Sequence, residues 1–131
     1  MLDAFIEGFF LLFRIDTYFY ICIGLALGMF VGAMPGLTTT LTMAILLPVS
    51  FKLEPMLGIP FLIGIYKGGI YGGSISAILV GIPGTGASIA TTFDGPALTR
   101  KGQGRKALEM ALYASVTGDT LSDIFTLAAI G

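Results

Sequence analysis

The sequence predicts an all-α fold: a polytopic transmembrane helical bundle with Pro-Gly-broken helices or re-entrant half-helices. Three observations predict it. Of 131 residues, 55% are hydrophobic and only 11% charged, whereas a soluble domain carries about 25% charged residues. Such a chain cannot cover its surface with polar groups, so lipid is its natural solvent. Two stretches, 17–51 and 56–93, hold a single charge between them, Lys67. Each is longer than the roughly 20 residues of one simple span, and each contains an internal Pro-Gly pair, Pro35-Gly36 and Pro83-Gly84.

Composition also sets aside several function classes. A net charge of −1 provides no basic face for nucleic acid. There is no histidine and one cysteine, Cys22, which excludes disulfide frameworks and Cys/His metal sites within one copy. No cluster of acidic residues suggests a carboxylate metal site. No base is placed beside a serine nucleophile, so an enzyme is not expected. The opening Met1-Leu2-Asp3, with Glu7 following, lacks the positive charge of a signal peptide.

The elements are expected within a single transmembrane domain over 1–131. Residues 1–15 place Leu2, Phe5, Ile6, Phe9, Phe10, Leu12 and Phe13 at mostly helical spacing, which predicts an interfacial amphipathic helix. Tyr18, Phe19 and Tyr20 then form an aromatic belt at headgroup depth. Membrane segments follow over 17–51, with a break at 34–37, and over 56–93, with a break at 82–86. Between them lies a short polar turn with Lys52, Glu54 and Pro55. Residues 94–106 are expected as a loop. Its Arg100, Lys101, Arg105 and Lys106 place it in the cytoplasm by the positive-inside rule. Asp94 reads as a cap or anchor of that loop. A further membrane helix is expected over 107–131, carrying Glu109, Asp119 and Asp123.

Two ladders of small residues lie on this frame. Gly24, Gly28, Gly32 and Gly36 recur every four residues, as do Gly64, Gly68, Gly72 and Ser76, with Gly69, Gly73 and Ala77 beside the second. Residues four apart share a helix face, and small ones let two backbones approach closely. The ladders predict packed helices without saying what passes between them.

The chemistry is expected at the two breaks. Unwound backbone at membrane depth is tolerated only where protein or a watery cavity surrounds it. A half-helix starting after each break would aim free N–H groups and a positive dipole end at that cavity. Thr38, Thr39, Thr40, Thr85 and Ser88 would add hydroxyl donors, making a site for a small anion; freed carbonyls would suit a coupling cation. Proline kinks without a ligand are the competing reading of the same residues. Lys67 has three readings: attracting an anionic substrate, snorkelling from a span's end, or pairing with an acid elsewhere.

The run from Gly64-Ile65-Tyr66-Lys67-Gly68-Gly69 through Gly72-Gly73-Ser74-Ile75-Ser76, with Ile82-Pro83-Gly84-Thr85-Gly86 and Phe93-Asp94-Gly95, resembles the TctA-type large membrane subunit of tripartite tricarboxylate transporters. Gly32-Ala33-Met34-Pro35-Gly36-Leu37 and Leu46-Leu47-Pro48 resemble the same family in the same order. Gly86 departs from it, standing where many members have proline. The resemblance implies secondary active transport of tricarboxylates or related carboxylates across the bacterial inner membrane. It implies no cofactor, a coupling ion that is Na+ or H+, and two partners: a small TctB-type membrane subunit and a periplasmic TctC-type solute-binding protein. It also implies a longer protein, of which this chain is the N-terminal portion. The residues assigned to substrate binding are Pro35, Gly36, Thr38, Thr39 and Ser74, with Pro83, Gly84, Thr85 and Ser88. The alternative function is a small self-associating membrane scaffold or channel-forming protein held together by its glycine ladders.

Overall fold

The computed structural model describes residue 10 and residues 13–130. The interfacial helix expected over 1–15 falls almost entirely outside the described residues. The rest is helical: α1 (Ile15–Gly32), α2 (Thr39–Ser50), α3 (Pro55–Val80), a 3-10 turn (Gly86–Ser88), α4 (Thr91–Arg100) and α5 (Gly104–Ile130). No strand occurs among the described residues.

Helices α1 and α3 are long and apolar enough to cross a membrane. The 18 residues of α1 rise about 27 Å, close to a hydrocarbon core of about 30 Å. The 12 residues of α2 rise only about 18 Å, so α2 has the length of a half-span.

The glycine ladders explain why α1 and α3 pair. A Cβ on Gly24, Gly28 or Gly32 would overlap the carbonyl oxygen of Phe61, Ile65 or Gly69, and one on Gly68 or Gly72 would overlap that of Leu25 or Met29. The contacts advance together along both helices, so α1 and α3 run parallel, backbone on backbone. With lipid as solvent there is little hydrophobic drive between helices, and close van der Waals approach of small residues takes its place. Gly36, the last rung, does not pack: its Cβ position is open and its φ is +96°.

Helix α2 folds back against α3. Thr39 lies against Gly69, and Ser50 lies against Gly58, so α2 runs antiparallel to α3 and its N-terminus stands halfway along that helix. Beyond α3 the chain turns at Gly81, whose φ of +78° caps the helix and whose N–H donates to the Ala77 carbonyl at 3.1 Å.

The expected loop over 94–106 is largely helix. Gly95-Pro96 reads as turn punctuation in sequence, yet both lie inside α4. A Cβ on Gly95 would fall 2.9 Å from Ile78 Cα, so this glycine lets α4 press onto the end of α3. Thr99 Oγ1 donates to the Ile78 carbonyl at 2.8 Å, holding the contact. Asp94 is no cap: it occupies the first turn of α4, behind the N-cap residue Ala90. The turn proper is short. Gln103 N–H donates to Leu98 and Gly102 N–H to Thr99, at 2.9 and 3.0 Å, with Gly102 at φ +75°, which is a Schellman ending. Helix α5 then starts at Gly104, ahead of the expected 107. It is tied to α3 through Tyr71, whose hydroxyl donates to the Leu108 carbonyl at 3.4 Å.

Candidate functional site: two breaks on one face of α3

Each break has a local cause. After Gly32 the chain turns at Met34-Pro35-Gly36-Leu37, where Leu37 N–H donates to the Met34 carbonyl at 3.2 Å. A positive-φ glycine at the third position is what a type II turn requires, and proline at the second is common there. Thr38 then takes extended dihedrals, and its hydroxyl oxygen accepts from Leu41 N–H at 3.3 Å, an N-cap for α2. Thr39 and Thr40 follow as the first helical residues, whose N–H groups have no carbonyl within the helix.

The second break re-enters the protein after Gly81. Gly84 is buried; its N–H donates to the Gly73 carbonyl at 3.3 Å, and a Cβ there would lie 2.8 Å from Gly73 Cα and overlap the Gly32 carbonyl oxygen. A Cβ on Gly73 would meet Thr85 Oγ1 at 2.7 Å. The two breaks therefore lead onto the same face of α3. Thr39 stands on Gly69 and Thr85 on Gly73, one turn apart on the same face of α3, and Gly84 wedges between Gly73 and the end of α1.

The hydroxyls expected as donors separate into distinct states. Thr85 and Ser88 are engaged with each other: Thr85 N–H and Oγ1 donate to Ser88 Oγ, each at 3.2 Å, and Ser88 Oγ donates to the Thr85 carbonyl at 2.8 Å. This capping box starts a 3-10 turn of 3 residues, which runs through Ile89 and Ala90, both with helical dihedrals, into the 10-residue α4. The helix after the second break thus begins with its hydroxyls already engaged. Thr38 is exposed and occupied as a cap. Thr39 differs from them all. It is 6% exposed, and its Oγ1 is the buried side-chain polar atom without a hydrogen-bond partner among the described residues. A threonine deeper in a helix would bond back to the carbonyl one turn earlier, as Thr42 Oγ1 does to Thr38 at 3.2 Å. At the first helical position, the residue four earlier is Pro35, in the turn.

Pro35 and Gly36 are exposed and Pro83 half-buried, so these residues shape the turns. Ser74 is 8% exposed and stands seven residues after Lys67. It therefore shares that residue's side of α3 rather than the Gly69–Gly73 face. Lys67 pairs with Asp119 of α5, so of its three readings the partnered one describes its position. Sequence reasoning placed Thr38, Thr39 and Thr40 together as donors. Which one is buried without a partner depends on which is the N-cap, a boundary set by the turn hydrogen bond upstream.

The chain matches the tripartite tricarboxylate transporter TctA family over residues 18–131. A relative from Agrobacterium vitis, an uncharacterized 52.8 kDa protein in the TAR-I ttuC' 3' region, is 43% identical over 93 residues, which are 71% of this chain and 18% of the relative. The match thus spans less than a fifth of that relative's length. No solved structure matches the chain. The paired glycine ladders, the two Pro-Gly breaks and the family match covering both of them lead to one conclusion: the chain is a membrane protein that belongs to the tripartite tricarboxylate transporter TctA family.

Proposed function

We propose that this chain supplies a carboxylate-binding half-site in a secondary transporter of the bacterial inner membrane, at the N-terminus of α2. The observation that carries the reading is the Thr39 hydroxyl, buried at the tip of a half-span helix with no partner among the described residues. An unpartnered buried hydroxyl costs about 1–3 kcal/mol, a cost that binding would remove. The first N–H groups of α2 and its positive dipole end add donors suited to an anion. The tip stands halfway along α3, and sites of this kind lie near the midplane between discontinuous helices. In this reading Thr85, Ser88, Pro83 and Gly84 act by holding the second break against α3, and Pro35, Gly36 and Thr38 by fixing where α2 begins.

The whole protein's activity follows as part of the same proposal: uptake of tricarboxylates or related carboxylates driven by Na+ or H+, with a TctB-type membrane subunit and a TctC-type binding protein. The glycine ladders favour this over a self-associating scaffold, because they face each other within one chain and are not free to pair with a second copy.

The test is uptake of a labelled tricarboxylate by membrane vesicles holding the full-length subunit, its small partner and the binding protein under an imposed ion gradient. Thr39→Val should raise the apparent substrate constant about 10- to 150-fold, the equivalent of one hydrogen bond to a charged group at about 1.5–3 kcal/mol. Thr126→Ala is the control, since Thr126 Oγ1 bonds the Ser122 carbonyl at 2.8 Å on α5, away from both breaks. Wild-type kinetics for Thr39→Val would remove the substrate from this helix end.

A further inference from the structure

A second arrangement lies on the other side of α3. Lys67 is two residues from Gly69, about 200° around the helix, and so faces away from Thr39. Its ammonium is bound to the Asp119 carboxylate of α5. The pair borders a cleft of about 760 Å³ between α1, α3 and α5, whose other walls are mostly apolar. On the α5 side, Ser115 and Ser122 line the same cleft, one turn before and one turn after Asp119. The side chains of Lys67 and Asp119 are 36% and 47% exposed, so the pair is open to the cleft.

We infer that Asp119, flanked by the Ser115 and Ser122 hydroxyls, is a cation-exchange site in which the Lys67 ammonium is the resident cation and a sodium ion or a proton is the competitor. The chemistry follows from the parts. A carboxylate with two hydroxyls along one helix face offers the oxygen ligands that hard cations take. A lysine ammonium on a four-carbon stem is a compact charge that can leave and return. A charge inside a membrane span needs a partner, and an ionisable pair there marks an ion pathway by default. When a sodium ion binds, or a proton adds to the Asp119 carboxylate, Lys67 keeps its own proton and is released into the cleft, so each exchange adds one positive charge to the cleft. The other ionisable groups acting on Lys67 are Asp123 and Tyr66. Tyr71 also borders the cleft, where α1 contributes only Leu25 and Met29. The use of this exchange to couple ion and carboxylate movement rests on the transport reading; the exchange itself does not, and its test contains no carboxylate.

Purified full-length subunit is treated with an amine-reactive reagent, and modification of Lys67 is read by peptide mass spectrometry relative to Lys101, which is exposed. The measurement is made in sodium chloride against choline chloride at one ionic strength, and then across pH in choline chloride. The ratio of Lys67 to Lys101 modification should rise with sodium, with falling pH, or with both. The arm that responds identifies the competitor, and the response should vanish in Asp119→Asn. A flat response in both arms, or one that persists in Asp119→Asn, overturns the proposal. A second variant guards against mere tethering. If Lys67 occupies Asp119 about nine times in ten, Lys67→Gln should lower the concentration of the responding cation (sodium, or protons) that half-stabilises the protein against heat by about tenfold. A tether would lower stability and leave that concentration unchanged, which also overturns it.

Discussion

Thr39 lies directly against Gly69: a Cβ built on Gly69 would fall 2.7 Å from the Thr39 methyl carbon and 2.8 Å from its hydroxyl oxygen. The missing side chain of one residue is thus the seat of the other. Gly69→Ala should displace Thr39 and the tip of α2 with it, at about 1–3 kcal/mol, as overpacking typically costs. Thermal unfolding of the purified full-length subunit is the check. A midpoint equal to wild type would mean that α2 does not start against α3.

The seam between α1 and α3 gives a second expectation. A Cβ on Gly28 would overlap the Ile65 carbonyl oxygen and stand 2.9 Å from Gly69 N, and backbone has nowhere to move. Gly28→Ala should lower both yield and thermal stability. Gly118→Ala provides the contrast, because nothing lies within 4 Å of that Cβ position, and alanine gains up to about 1 kcal/mol over glycine within a helix. Equal behaviour of the two variants would show that the ladder on α1 is not buried against α3.

How much of this was legible in the sequence depends on whether a feature is periodic or tertiary. The α1–α3 seam was legible, since a four-residue repeat of small residues marks a helix face regardless of its partner. The place of the first break was legible, because proline removes a donor and glycine accepts unusual dihedrals; its turn type and the open position of Gly36 were not. What each break touches was not: nothing local says that Thr85 reaches Gly73, or that Lys67 meets a carboxylate 52 residues away. Helix α4 reads locally as a loop because Gly95-Pro96 weighs heavily in any local reading. Its contact with Ile78 and the Schellman turn at Gly102 are what keep it helical. A helix does follow Pro83-Gly84, but it starts as the capped Thr85–Ser88 turn that runs on into α4, and that pairing occupies the hydroxyls.

The cap on α2 can be tested apart from the site. Thr38→Ala removes the acceptor for Leu41 N–H and should cost about 1 kcal/mol of stability, while Thr38→Ser should restore it. Thermal midpoints of the two variants decide this. No loss in Thr38→Ala would mean that the helix begins elsewhere and that Thr39 is not its first residue.

Sidedness follows from the basic cluster. Arg100, Lys101, Arg105 and Lys106 are all exposed around the α4–α5 turn, and clustered lysine and arginine favour the cytoplasmic side. A cysteine introduced at Gln103 should resist membrane-impermeant thiol reagents in intact cells and react after lysis. Equal labelling before lysis would invert the topology.

The central claim is that Thr39 is kept unpartnered for a ligand, and it predicts opposite effects of one substitution on stability and on binding. Valine has nearly the shape of threonine without the hydroxyl, so Thr39→Val removes a buried orphan that costs about 1–3 kcal/mol. The most direct measurement is calorimetric titration of a tricarboxylate into purified full-length subunit, wild type and Thr39→Val, beside their ligand-free thermal midpoints. The variant should melt at or above the wild-type temperature and bind about 10- to 150-fold more weakly. A variant that melts lower yet binds as wild type would show that the Thr39 hydroxyl serves the fold and not the substrate.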